Sequence, residues 1–106
     1  MPTLHDLIAD KLEAADPEAR QALMLIPLDN IDRWLADGVL SMPGAFLNWR
    51  ELIHDAGRCP ESFQRLLHLL RADTQEGRRW REFSPFAGVL SAHERQAFFR
   101  QCIYSH

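Results

Sequence analysis

Lysine is almost missing from this chain, since Lys11 stands alone beside eleven arginines. Genome composition explains that bias as readily as a need for bidentate recognition, so it excludes little. Cysteine is scarce as well. Cys59 and Cys102 are far apart in sequence and form neither a Cys-x-x-Cys pair nor a metal-ligand spacing, which points to two reduced thiols in a cytoplasmic protein and no disulfide. Long apolar runs are absent: no stretch reaches the roughly 18 residues that a membrane-spanning helix needs. The first twenty residues carry acids at 6, 10, 13, 16 and 18, where an export signal would place bases followed by an apolar run. The expectation is a soluble protein with no membrane partner and no export signal.

Several chemistries lack their residues. His5, His54, His68, His93 and His106 include no i,i+4 pair, and His54 with Cys59 across the Gly57 turn would be only two ligands, so no metal is expected. Gly38, Gly44, Gly57, Gly77 and Gly88 are scattered and make neither a phosphate-cradling loop nor a dinucleotide fingerprint, so no nucleotide cofactor is expected. Neither cysteine has flanks that imply an activated nucleophile. Two acidic pairs, Asp29 with Asp32 and Asp6 with Asp10, lie at expected helix starts, where negative charge is favourable without any reaction. With no catalytic set in view, the chain reads as a protein that is not an enzyme. Polar residues converging across helices, such as His54, Asp55 or Arg58 around an apolar pocket, are what would reverse that reading, and a solid core would end the enzyme alternative.

What the chain does have is the material for one helical domain. Its 106 residues are 46% hydrophobic and 25% charged, ordinary for a single globular domain with a core of its own. The stretch Cys59-Pro60-Glu61-Ser62-Phe63 through Leu70 is its hub. Apolar residues at 63, 66, 67 and 70 share one helical face, Leu69 widens it, and Pro60 suits a first helical position where its missing N–H costs nothing. So wide an apolar surface belongs near the centre of a small domain.

The remaining elements follow from start and stop signals. Thr3 with Asp6 opens a helix over about 4–15. Asp16-Pro17-Glu18 opens a second, expected to stop before Pro27, because proline disfavours helical geometry at Ile26 and lacks the next donor. Asp29 and Asp32 bracket a third, about 30–37, with Ile31, Trp34 and Leu35 on one face and Gly38 as left-handed cap. Ser41-Met42-Pro43 opens a fourth, whose Ala45, Trp49, Leu52, Ile53 and Ala56 form a stripe ending at Gly57. After the hub, Asp73 with Glu76 caps a helix through about Glu82, in which Gly77 is either irregular or closely packed. Phe83 to Leu90 breaks the pattern with Pro85 and Gly88 amid large apolar groups. Such a loop is either folded under as a lid on the core or displayed as a binding surface, and burial is favoured. Ser91 with Glu94 is the clearest capping box, opening a last helix over about 92–103 with Ala97, Phe98, Cys102 and Ile103 on its buried side. No segment alternates as a half-buried strand would. The expected fold is all-α, a compact single-domain bundle of about seven short helices.

Charge supplies the candidate functional residues. The net charge is −3, with eight acids against three bases in residues 1–37 and seven against nine in residues 38–106. The densest basic feature is Arg78-Arg79-Trp80-Arg81, with Arg71 and Arg65 one or more turns earlier. Guanidinium groups around an indole suit phosphate contact and base stacking, although Asp73, Glu76 and Glu82 dilute the charge. The alternatives are a solvated, salt-bridged face, an acidic protein partner, or pairing with the chain's own acidic amino-terminal third. Candidate partner- or nucleic-acid-binding residues are therefore Arg71, Arg78, Arg79, Trp80 and Arg81, with Phe83 and Phe86 if the loop is displayed. The helices over 43–56 and 60–71 carry more apolar surface than one stripe each. A homodimer is the simplest cover for it, with Phe46 and Leu47 as the contact and Trp49 facing the core.

The run Pro27-Leu28-Asp29-Asn30-Ile31-Asp32-Arg33-Trp34, then Trp49, then Arg81 to Ser84-Pro85-Phe86-Ala87-Gly88-Val89-Leu90 and Glu94-Arg95, resembles small bacterial helical companion proteins of nucleotidyltransferase-like or toxin–antitoxin-type gene pairs. It covers residues 27–95 discontinuously and carries no catalytic residue. What the resemblance implies is an intracellular, non-enzymatic protein whose function is to bind a protein partner.

Overall fold

The computed structural model describes the backbone of residues 3–104 and the side chains of residues 3–101. The expectations for the Cys102 and Ile103 side chains, and for His106, lie outside the described residues. Within them there are six helices and no strand: α1 (Leu4–Ala14), α2 (Pro17–Asp37), α3 (Pro43–Ala56), α4 (Pro60–Arg71), α5 (Gln75–Glu82) and α6 (Ala92–Tyr104). No helix among the described residues is long and apolar enough to cross a membrane.

The hub is where its apolar pattern puts it. Phe63, Leu66, Leu67, Leu69 and Leu70 of α4 are all buried, and α4 packs against α1, α3 and α5. Burying each such side chain contributes roughly 1.5–3 kcal/mol. The other helices supply the facing side chains: Ile8, Ala9 and Leu12 from α1, Met24 and Ile31 from α2, Trp49, Leu52 and Ile53 from α3. One connected core results.

Starts and stops follow local chemistry at most ends. Thr3 and Asp6 form the reciprocal capping box of α1, Asp16 caps α2 ahead of Pro17, and Gly38 ends α2 at φ 67°, a conformation that glycine adopts without strain. Ser91 and Glu94 exchange hydrogen bonds of 3.1 and 2.8 Å at the start of α6. One cap differs from expectation. Thr74, not Asp73, is the N-cap of α5, its hydroxyl accepting from Gly77 N–H, which leaves the Asp73 carboxylate to pair with Arg78.

The larger correction concerns Pro27. No break occurs there: the two helices expected before Pro27 and over 30–37 are a single 21-residue α2 with Pro27 inside it, so the bundle has six helices where seven were expected. Proline in a helix interior costs about 3 kcal/mol, since it removes one N–H and crowds one carbonyl. Against that, Met24, Pro27 and Ile31 fall at spacings of three and four and are all buried. Their burial outweighs one missing hydrogen bond. Asp29 and Asp32 consequently lie on the outside of a continuous helix instead of capping one, with Asp29 3.7 Å from Arg33 and Asp32 3.3 Å from Arg50 of α3.

The segment between α5 and α6 folds under, as favoured. Pro85, Phe86, Val89 and Leu90 are buried, and polar side chains from α1 and α2 hold the backbone around them. The Asn30 carboxamide donates to Pro85 O at 2.9 Å and Ala87 O at 2.8 Å, while its own oxygen accepts from Arg33 at 2.6 Å. Lys11 Nζ donates to Val89 O at 2.8 Å and pairs with Glu94 at 2.6 Å. His5 and the Ser84 hydroxyl share a 2.9 Å hydrogen bond. Beyond this anchorage α6 leaves the body. None of its described side chains is buried; Ala97, expected on the buried side, is exposed and Phe98 is half-buried, because among the described residues no other helix packs closely against α6.

Replacing Asn30 by Ala leaves two loop carbonyls without their donor, Pro85 O in a buried setting and Ala87 O in a part-buried one. The expected loss is about 2–4 kcal/mol, since each unsatisfied buried polar group costs about 1–3 kcal/mol. Urea unfolding of N30A against the wild type measures it, with slower-exchanging amides of residues 84–90 losing protection first.

Candidate functional site

The basic stretch sits at the corner where α4 turns into α5, and most of its guanidinium groups face inward or to a neighbouring carboxylate. Arg71, in the last turn of α4, reaches across to α1 and donates to Asp10 at 2.6 Å and Glu13 at 3.0 Å. Hydrogen bonds to these two carboxylates raise its affinity for its proton still further. The acidic amino-terminal third and this arginine are thus each other's partners. Arg78 pairs with Asp73, and Arg65 stands 3.6 Å from Glu76. Arg81 donates to Leu69 O at 2.7 Å, closing a carbonyl at the end of α4. Arg79 alone of the group makes neither an ion pair nor a side-chain hydrogen bond among the described residues; with Gln75, Glu76 and Trp80 it lines a shallow hollow of about 350 Å³.

The aromatic residues form a linked set. Trp80 meets Trp49 edge to face at 4.9 Å, and Trp49 meets Phe86 at 5.1 Å. The Trp49 indole N–H donates to Trp80 O at 2.8 Å, so the fully buried Trp49 has a satisfied polar end, as such rings require. Trp80 is half-buried by this contact. Phe83 leans on Phe46 at 6.0 Å, and Phe46 on Trp34 at 5.6 Å. Both phenylalanines are half-buried, whereas Leu47 is 43% exposed. Phe86, a candidate for display, is 2% exposed: packing against Trp49 removes it from the surface.

Gly77 explains the tightness of this corner. A Cβ there would stand 2.6 Å from Ala72 O and 2.9 Å from Arg81 Nη1, so the start of α5 lies against the end of α4 through a bare backbone. Of the two readings open for Gly77, close packing is the one found.

Sequence patterns left other side chains unassigned. His5 is half-buried beside Ser84; burial lowers its pKa from the ordinary 6.5, the Arg81 charge lowers it further, and Asp6 opposes both. Arg20 donates to Leu12 O at 2.8 Å, Glu13 O at 3.1 Å and Ala15 O at 3.3 Å, closing the carbonyl end of α1, and lies 4.1 Å over the Phe63 ring. A hollow of about 480 Å³ between α2 and α3 includes Arg20, Leu25, His54 and Arg58. His54 and Arg58 line this one depression, and Asp55 does not. Pro17, Arg20, Gln21, Met24 and Leu25 of its α2 wall already share the helix expected before Pro27, and the uninterrupted helix adds Leu28 to them. Among the described residues no group of three or more His, Cys, Asp or Glu could hold a metal ion, and Cys59, at the start of α4, donates its thiol hydrogen to Glu61 at 2.8 Å.

No protein-family model, curated protein or solved structure matches this chain.

Two outcomes are expected from this geometry. Gly77→Ala should destabilise the fold by about 1–3 kcal/mol, the overpacking cost, although alanine is the better helix former by about 1 kcal/mol; a rise in thermal midpoint would contradict the close approach. The depressed His5 pKa means that the unfolded chain binds the extra proton first, so stability should fall as the pH drops below about 6.5 and level off once the folded-state pKa is passed. Denaturation midpoints at pH 7.5 and 5.5 for wild type and His5→Gln should differ in the wild type and converge in the variant.

Proposed function

We propose that this chain is a non-enzymatic protein-binding protein, an adaptor, antitoxin-like or regulatory component of a bacterial cytoplasm. The observation that carries the reading is a contrast between two kinds of surface. Most of the basic stretch is used internally, yet Leu25, Val39, Met42, Leu47 and Phe99 are 43–66% exposed, and large side chains that remain wet on so small a domain are what a partner would cover. The resemblance to companion proteins of toxin–antitoxin-type gene pairs agrees with it. A homodimer contact through Leu47, at the edge of the Phe46–Trp34 pair, is the self-complementary version of the same idea.

The second reading, a nucleic-acid-binding protein using the region 78–81, is favoured by one feature. Arg79 is unpaired among the described residues beside the half-buried Trp80. One free guanidinium gives a weak electrostatic footprint, while the internal engagement of Arg71, Arg78 and Arg81 lowers what remains for phosphates.

Co-purification of the tagged chain from its native cell, followed by sedimentation, tests the first reading. The expected result is a stoichiometric protein partner that survives moderate salt; recovery as a lone species at every salt concentration would refute it. Titration with duplex and single-stranded oligonucleotides at low salt tests the second, with Arg79→Ala expected to lose whatever affinity exists.

A further inference from the structure

The hollow between α2 and α3 combines an apolar floor with a rim that carries two arginines, Arg20 and Arg58, which it shares with an adjoining hollow lined also by Glu13. Met24 and Ile53 are buried at its base, 7% and 2% exposed, and Leu25 rises 59% exposed at its edge, with Leu28 packed alongside. Arg20, His54 and Arg58 stand around it, and no carboxylate lines it. This is unusual ground for a chain of net charge −3. Arg20 is held by three carbonyls of α1 and its turn, so that charge is fixed in place, and neither His54 nor Arg58 makes an ion pair among the described residues.

The hollow continues into a second one that shares Leu25, Leu28 and His54 and ends at Asp29, Asp32 and Arg50. There the charges are spoken for, because Arg33 faces Asp29 and Arg50 faces Asp32. The trough therefore has a polarity: available positive charge at the Pro17 end of α2 and paired charge at the Asp32 end. Along α2 its span is about 22 Å at 1.5 Å per residue, the length of a helix of about fifteen residues.

We infer that this trough is the docking groove for an acidic amphipathic helix of a partner protein. Leucine- or isoleucine-like side chains at i, i+3, i+4 and i+7 would lie along Leu25, Leu28 and Ile53, and carboxylates in the helix's last turn would meet Arg58 and Arg20, with the His54 ring beside them. The negative end of its dipole then also faces the positive rim, so the bound helix runs antiparallel to α2. The apolar floor selects a helix over a phosphate backbone, which would leave Leu25 and Leu28 uncovered. This inference rests on the protein-binding reading and names the surface and the chemistry that it requires.

The probe is a fluorescein-labelled fifteen-residue helical peptide with leucines at that spacing and three glutamates in its last turn. A second peptide carries lysines in place of the glutamates, and a third carries serines in place of the leucines. Fluorescence anisotropy should give saturable binding of the acidic peptide, at least tenfold weaker binding of the lysine peptide, and none of the serine peptide. Amide shifts should concentrate at residues 20–28 and 53–58. Leu25→Glu and Arg58→Glu should each weaken the acidic peptide at least tenfold, Arg58→Gln less, and Arg95→Glu not at all. Thermal unfolding of each variant, expected to match the wild type because both side chains are exposed, separates lost binding from lost folding. Equal binding of acidic and lysine peptides, shifts elsewhere, or no saturation up to millimolar peptide would overturn the groove, as would a dimer of the chain that Leu25→Glu dissolves. A co-purified native partner that still binds Leu25→Glu and Arg58→Glu would likewise remove the groove, while leaving the protein-binding reading standing.

Discussion

The carboxamide of Asn30 is the joint on which this bundle closes. Helices satisfy their own backbone, but the segment 83–90 does not, and it has to pass under the bundle because Pro85, Phe86, Val89 and Leu90 are needed in the core. Burying apolar side chains brings peptide carbonyls in with them, and each left without a donor would cancel much of what one side chain contributes. Asn30 answers two of those carbonyls at once, and Lys11 answers a third. The donors come from α1 and α2, so the loop is bound to the opposite end of the sequence. No buried side-chain polar atom among the described residues lacks a partner.

The same economy governs charge. Basic residues after position 38 outnumber acids, and acids outnumber bases before it, an imbalance that suggests outward recognition when viewed along the chain. In three dimensions the two parts meet: Arg71 joins Asp10 and Glu13, Lys11 joins Glu94, and Arg50 joins Asp32. These pairs are solvent-accessible, worth at most about 1 kcal/mol apiece, so they orient α1 and α6 more than they hold the fold. Hydrogen bonds from Lys11 and from the Ser91 backbone keep the Glu94 carboxyl below its ordinary range, so protonating it in acid loosens the start of α6. What the interior pairings leave over is informative. Among the described residues Arg58, Arg79, Arg95 and Arg100 remain outside them, Arg58 beside an apolar trough and Arg79 beside a half-buried indole.

Amino-acid order by itself determined whatever depends on neighbours within one helical turn. Side chains at 63, 66, 67 and 70 could share a face only in a helix; Asp16-Pro17, Thr3 with Asp6, and Ser91 with Glu94 carry their capping partners three residues away, and Gly38 supplies a left-handed stop. These interactions are local, so the all-α class, the centrality of α4 and the burial of Trp49 could be read without coordinates. Tertiary structure decided the rest wherever a local preference had to compete with contacts from afar. Pro27 is a helix breaker by its own chemistry, yet the burial of Met24, Pro27 and Ile31 keeps α2 whole, and that continuity carries the trough against α3 on past Leu28 to Asp32. Asp73 was a sound cap until Arg78 claimed it and Thr74 took its place. Whether an arginine in the run 78–81 faces a carboxylate, a carbonyl or water depends on residues elsewhere in the chain, such as Leu69 and Asp73, or on none at all. Spacing encodes which side of a helix a residue occupies, and the packing of other helices determines what that side meets.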